Sequence, residues 1–167
     1  MVLPVECSGG VKCMSFGWVN PNAGVKGAGG AEAAVLRGPV ASRVASQLLL
    51  GTDWGPLDYL LLDMPPGTGD IQLTLAQRAT LSGAVIVTTP QDIALLDARK
   101  GIEMFQKVEV PVLGLIENMA SHVCTQCGHV EPLFGEAGGE QLAVHCGVPL
   151  LGQIPLDKAI REHSDAG

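Results

Sequence analysis

Aromatic side chains are scarce in this chain: two Trp, one Tyr and three Phe make up 4% of 167 residues. That excludes a broad stacking platform for single-stranded nucleic acid. Cations are few as well, ten Lys and Arg against seventeen Asp and Glu, for a net charge of -7. An acidic chain binds phosphate backbones poorly, so no nucleic-acid partner is expected. A single nucleotide remains within reach, because backbone amides and Mg²⁺ supply a positive field locally. No apolar run approaches the roughly 20 residues of a membrane span, and no membrane partner is expected. The start, MVLPVECSGG, has neither the basic end nor the apolar stretch of a secretory leader. Five cysteines at uneven spacing do not make a disulfide framework. They fit a reducing compartment, with a metal or redox role for some of them.

What is present is core material. Hydrophobic residues are 47% and charged ones only 16%, as in a parallel sheet covered on both faces. Strand and helix signals alternate from residue 36 onward, which predicts a single α/β domain built on a doubly wound, mostly parallel sheet. Val11 to Ser15 reads as a short strand. Residues 20–34, NPNAGVKGAGGAEAA, read as a flexible Gly/Ala loop. Arg37 to Leu50 has apolar residues at helical spacing. Asp58 to Asp63, Ala84 to Thr88, Val112 to Asn118 and Pro149 to Ile154 read as buried strands. Asp70 and Asp92 are placed as helix N-caps. On the helix after Asp92, Ile93, Leu96, Met104 and Val108 are the expected core, and Arg99 and Lys100 a solvated face. Residues 119–134 read as a loop, Gly135 to Cys146 as a helix, and Asp157 as the start of a last helix.

The string LLLDMPPGTGD, residues 60–70, carries the strongest chemistry. A buried strand that delivers a carboxylate to its C-terminal end places an acid near Mg²⁺ in nucleotide enzymes. Asp63 takes that role. Gly67 lets a backbone amide approach a terminal phosphate without a Cβ in the way. Pro66 stiffens the exit, and Thr68, Gly69 and Asp70 would register whether that phosphate is present, as order–disorder switches do. The plain alternative is a strand followed by a Pro-Gly turn. Cys124 and Cys127 form a C-x₂-C. Half of a zinc knuckle, completed by His122, His129, His145 or Cys146, is one reading of it, and a redox dithiol another. Cys7, Cys13 and Cys146 read as small buried or half-buried residues. Asn118, at a strand exit in Glu117-Asn118-Met119, is placed either to bond a base edge or to form a turn.

The ordered stretches PVECSGGVKCMSFG, LRGPVASRVASQLL, DWGPLDYLLLDMPPGTGDIQLTLAQ, TTPQDIALLDARKGIEMFQKVEVPVLGLIENMA, CTQCGH, FGEAGGEQLA, GVPLLGQIPLD and IREHSDAG resemble the Mrp/ApbC-type P-loop ATPases, scaffold and carrier proteins of iron–sulfur cluster assembly. They cover nearly everything except residues 20–34. The resemblance implies a homodimer in which Cys124 and Cys127 of each protomer hold one shared [4Fe–4S] cluster for apo iron–sulfur client proteins. It implies ATP with Mg²⁺ as the nucleotide, Asn118 facing adenine, and the turn at Pro155 flanking it. It implies slow hydrolysis, in the cytoplasm or in the mitochondrial matrix.

One family motif is missing. The loop of the form G-K-G-G-V-G-K-S/T has no counterpart; GVKGAGG at Gly24 to Gly30 lacks the Lys-Ser/Thr pair. A phosphate loop needs amides at a helix N-terminus, a Lys on the phosphates and a hydroxyl on Mg²⁺. The chain therefore reads as the C-terminal part of such a protein, inactive alone towards ATP. Two other classes stay open: a positioning ATPase of the MinD/ParA type, and a zinc-stabilised, non-enzymatic dimerisation fragment.

Overall fold

The computed structural model describes residues 2–19, 38–65 and 67–166. The 20–34 loop and Pro66 lie outside the described residues. The chain divides into two compact units, Met1–Ala79 and Thr80–Gly167.

In the first unit, β1 (Val5–Glu6) and β2 (Lys12–Cys13) form an antiparallel hairpin around a 3₁₀ turn at Ser8–Gly10. A short helix α1 (Phe16–Val19) follows. Helix α2 (Gly38–Leu50) packs on α3 (Asp70–Arg78). A parallel bridge joins Val2 to Thr52. The Lys12 ammonium donates to the Trp54 carbonyl at 2.7 Å, which fastens the hairpin to the chain after α2.

The expected strand Asp58 to Asp63 is not one. Residues 58–63 carry no strand pairing among the described residues, and Tyr59 and Leu61 are 87% and 90% exposed. Apolar composition favours a strand only where a neighbour takes up its N–H and C=O groups, and no described segment does.

In the second unit, β3 (Ala84–Thr88), β4 (Val112–Val123) and β6 (Leu150–Leu156) form a parallel sheet with β4 in the centre. The α/β class and the mostly parallel sheet expected from the sequence are observed. Helix α4 (Asp92–Lys107) connects β3 to β4, and α5 (Gly138–Cys146) precedes β6. Helix α4 packs on β3, α5 on β4 and β6, and the two helices touch each other, so they share one face of the sheet. Ile86, Thr88, Leu115 and Glu117 are buried. Leu115 and Ile102 are completely covered. A last helix, α6 (Lys158–Ala166), starts where the Asp157 carboxylate accepts the Ala159 N–H at 2.7 Å. The helix start expected at Asp157 is thus made by a side-chain cap.

Several local expectations move. The N-caps of α3 and α4 are Gly69 and Gln91, so Asp70 and Asp92 are the first helical residues instead. An acid still suits that place, against the positive end of the helix. Ile93 and Leu96 are 73% and 56% exposed. The buried stripe of α4 runs through Ala98, Ile102, Met104 and Phe105. Arg99 and Lys100 pair with Glu103 and Asp97 on the solvated face. Residues 119–123, expected as loop, extend β4, and β5 (Val130–Glu131) folds back on them antiparallel.

Candidate functional site

The sheet places a row of polar side chains at the carboxyl ends of its parallel strands. Thr88, Glu117 and Gln153 are register partners across β3, β4 and β6. This edge is where open α/β sheets bind ligands. Glu117 is 1% exposed, yet both its oxygens are satisfied. Oε1 accepts the Gly139 N–H at 2.6 Å and Oε2 accepts the Gln153 amide at 2.6 Å. The first bond satisfies a donor that the start of α5 leaves orphaned. No side chain of its own caps that helix; Ala137 at its N-cap is left-handed, with φ 55. Glu117 thus does the capping from across the sheet. The side chain at 139 must be absent for it to fit, since a Cβ there would stand 2.9 Å from Oε1.

Asn118 and Pro155 are brought together. Asn118 partners Ile154, and Pro155 follows at once, where the β4–β6 register shifts before His122 meets Leu156. A proline, lacking an N–H, is tolerated at such an irregularity. The Asn118 amide oxygen accepts the Met119 N–H at 3.0 Å. Met119 has φ 57, a left-handed conformation uncommon for a residue with a Cβ. The strand therefore turns at the edge and resumes beyond it. A cleft of about 480 Å³ opens between the starts of α4 and α5, lined by Asp92, Leu95, Phe134 and Gln141 among others.

That resumption carries Cys124 and Cys127 outward. His122 pairs with Glu131 and Val123 with Val130. Residues 124–129 then form the hairpin tip, closed by Cys124 N–H to His129 carbonyl and Gly128 N–H to Cys124 carbonyl, both 2.9 Å. Gly128 has φ 72, which a glycine adopts without strain. Cys124 is half-buried and Cys127 exposed. The backbone N–H of Cys127, then that of Gln126, then the Cys127 thiol hydrogen-bond the Cys124 sulfur and lower its pKa, against a smaller opposing effect of burial. Hydrogen bonds to the charged form have that effect, and the thiolate is the metal ligand. Among the described residues no cluster of three or more His, Cys, Asp or Glu that could hold a metal is present. The intrachain zinc knuckle is therefore not assembled around this pair. The His122 ring faces the Leu156 carbonyl at 3.4 Å instead.

In the first unit, Asp63 is exposed and Thr68 half-buried. Gly67 has φ +92, with no atom within 4 Å of where a Cβ would stand. The buried Gln72 side chain donates to the Pro65 carbonyl at 2.7 Å, tying Pro65 to α3. Gly69 and Asp70 open that helix. These residues form one continuous segment leading into α3.

Sequence reasoning named Glu117 without giving it a task, and it missed Gly139 and Gln153. An acid inside an apolar strand, together with a Gly-Gly at a helix start, was the available signal. It also took Cys7 for a buried or half-buried residue. Cys7 is exposed, while Cys13 and Cys146 are intermediate.

Known proteins resemble the chain along most of its length. The iron–sulfur cluster carrier protein of Escherichia coli K12 is 62% identical over 136 residues, 81% of this chain and 37% of its own length. The iron–sulfur cluster transfer protein NUBPL of Mus musculus is 48% identical over 158 residues, 95% of this chain and 47% of its own. The chain thus spans less than half the length of either relative. Among solved structures, a nucleotide-binding protein from Archaeoglobus fulgidus in complex with ADP superposes with a TM-score of 0.77 at 34% identity, covering 98% of this chain and 60% of that one. The cell division ATPase MinD of Pyrococcus furiosus matches at a TM-score of 0.52 and 24% identity over 76% of this chain and 48% of its own, a likeness of fold alone. The family model described as ParA, NUBPL iron-transfer P-loop NTPase, matches residues 1–167, and the chain belongs to that family.

Proposed function

We propose that this chain serves an iron–sulfur cluster carrier, with Cys124 and Cys127 holding the cargo and a nucleotide governing its release. The observation that carries this reading is the setting of the thiols. They stand at the tip of an arm beyond the sheet, and backbone amides favour the thiolate of Cys124. Two sulfurs leave a [4Fe–4S] cubane half-ligated. A second copy supplies the other two, so the cargo cluster bridges a homodimer. Exposure of Cys127 suits transfer to apo iron–sulfur client proteins rather than storage. The family and the names of its members support the same reading.

ATP with Mg²⁺ is the nucleotide in this account. Asp63 holds the Mg²⁺ shell, and Gly67 and Thr68 face the phosphates. Pro66, Gly69 and Asp70 form the switch that reads the terminal phosphate. Bound Mg²⁺ would neutralise phosphate charge, and hydrolysis is slow in a full-length protein that supplies the missing phosphate loop, as suits a timing device. The place of action is the cytoplasm or the mitochondrial matrix. No helix of the described residues is long and apolar enough to cross a membrane.

The test is anaerobic reconstitution of the chain with ferrous iron and sulfide, followed by metal and acid-labile sulfide analysis and native mass spectrometry. The expected result is a [4Fe–4S] stoichiometry per pair of chains, lost in Cys124→Ser and in Cys127→Ser. Iron loading unchanged in the double serine variant would refute the reading. Zinc in place of iron, bound one per chain, would return the intrachain alternative.

A further inference from the structure

The chain holds a second pair of neighbouring sulfurs that the cluster reading does not use. In the β1–β2 hairpin Val5 lies across from Cys13 and Glu6 from Lys12. The Cys7 N–H donates to the Val11 carbonyl at 2.8 Å, which continues the ladder by one step toward the turn. Residues two apart on a strand share a face. Cys7 therefore stands on the same face as Val5 and Cys13, as a diagonal neighbour of Cys13 within side-chain reach. The Cys7 side chain is the main neighbour acting on the Cys13 thiol. Its influence, ahead of burial, raises the pKa of Cys13.

The pair is asymmetric. Cys7 is exposed and Cys13 is half-buried. Gly9 and Gly10, at φ +78 and +77, have no atom within 4 Å of where a Cβ would stand, so the approach over the turn is open. An accessible sulfur beside a shielded one divides the labour of thiol–disulfide exchange: the first attacks, the second resolves. The strands are two residues long each, and so short a ladder adjusts at low cost. Diagonal neighbours stand roughly 7–8 Å apart and a disulfide asks for a Cβ separation of about 3.5–4.5 Å, so the ladder shifts when the bond closes.

We propose that Cys7 and Cys13 are a redox couple that exchanges with low-molecular-weight disulfides of the glutathione type. The Cys7 thiolate attacks one sulfur of the small disulfide. That S–S bond breaks, and one small thiolate leaves and takes up the proton Cys7 gave. Cys13, once deprotonated, attacks Cys7 Sγ in the mixed disulfide. The Cys7–Cys13 bond forms, and the second small thiolate leaves with the Cys13 proton. The protein dithiol loses two electrons, and the small disulfide becomes two thiols. The Lys12 bond to the Trp54 carbonyl carries the change from the hairpin to the chain after α2. The couple stands whether or not the cluster reading does.

The test uses the full chain with Cys124, Cys127 and Cys146 changed to serine, so that cluster chemistry cannot contribute. The protein is equilibrated in oxidised and reduced glutathione, quenched in acid, alkylated and mapped by peptide mass spectrometry. The expected result is joint loss of both alkylatable thiols, a mass lower by two hydrogens, and a linked Cys7–Cys13 peptide. The disulfide should form at a more reducing glutathione ratio in the folded chain than in urea. Adding Cys13→Ser should stop the reaction at a Cys7–glutathione adduct. Separate adducts on both thiols, or the same ratio folded and in urea, would overturn the proposal. The same peptide map on the chain with all five cysteines present decides the matter should the serine variants unfold: a linked Cys7–Cys13 peptide supports the couple, and its absence overturns it.

Discussion

Two strand-like apolar runs that end in an acid make the comparison: Leu60–Leu62 before Asp63, and Leu115–Ile116 before Glu117. The second is the middle of a sheet, with Leu115 at 0% and Glu117 at 1% exposure. The first has no strand partner among the described residues, and Leu61 is 90% exposed. The local signals are alike, and the neighbours differ. β4 has a parallel strand on either side, so its backbone groups are taken up in both directions. Its side chains meet α5. A strand is a collective object, and an apolar run is only an invitation to form one. The two acids differ for the same reason. Glu117 is held by the Gly139 and Gln153 donors and is lost to solvent. Asp63 remains accessible to a ligand.

Substitutions can break this comparison. Leu115→Ala should destabilise the second unit by about 2–5 kcal/mol, because it empties a fully covered site. Leu61→Ala should change stability by no more than about 0.5 kcal/mol, as exposed positions do. Urea unfolding followed by circular dichroism measures both. A cost at Leu61 approaching that at Leu115 would mean that residues 60–62 are packed after all. Glu117→Ala comes next, at about 1–3 kcal/mol, since it leaves the α5 N–H and the Gln153 amide without their acceptor. Gly139→Ala should cost about 1–2 kcal/mol by overpacking against that carboxylate. In a Glu117→Ala background the Gly139→Ala cost should shrink. An unchanged cost in this double-mutant cycle would show that the two positions are not in contact.

The sequence carried the parallel sheet of the second unit and the helices α2, α3, α4, α5 and α6, because periodicity and turn residues are local signals. It misjudged what depends on distant partners. Residues 58–63 looked like a strand because burial was assumed for them. Ile93 and Leu96 looked like core because helical spacing does not say which stripe faces the sheet. Residues 119–123 looked like a loop because Met119 and Ala120 give no alternation; β5 and Leu156 supply the pairing that makes them a strand. The strand-end positions of Asn118 and Pro155 were legible, and the β4–β6 register makes them neighbours. Glu117 as the cap of α5 was not legible, since its partners lie 22 and 36 residues away.

The cysteines sharpen the contrast between an arm in solvent and a packed helix. Cys124 has its pKa lowered, first by the Cys127 N–H, then by the Gln126 N–H, then by the Cys127 thiol. Cys146, on α5, has its pKa raised, mainly by burial, with Arg99 lowering it and Glu103 raising it. The thiolate is the species that reacts. A lowered pKa keeps thiolate present as pH falls; a raised one keeps the thiol protonated as pH rises. Alkylation of Cys124 should therefore have its pH midpoint below that of an unperturbed cysteine, and that of Cys146 above it. Iodoacetamide time courses at a series of pH values, read residue by residue by mass spectrometry, measure both. Coincident or reversed midpoints would contradict the geometry of the tip. Cys127→Ser separates backbone from side chain, because it keeps the larger amide contribution and replaces only the smallest donor. The Cys124 midpoint should stay lowered in that variant, and a return to the ordinary value would transfer the effect from the fold of the turn to the second sulfur.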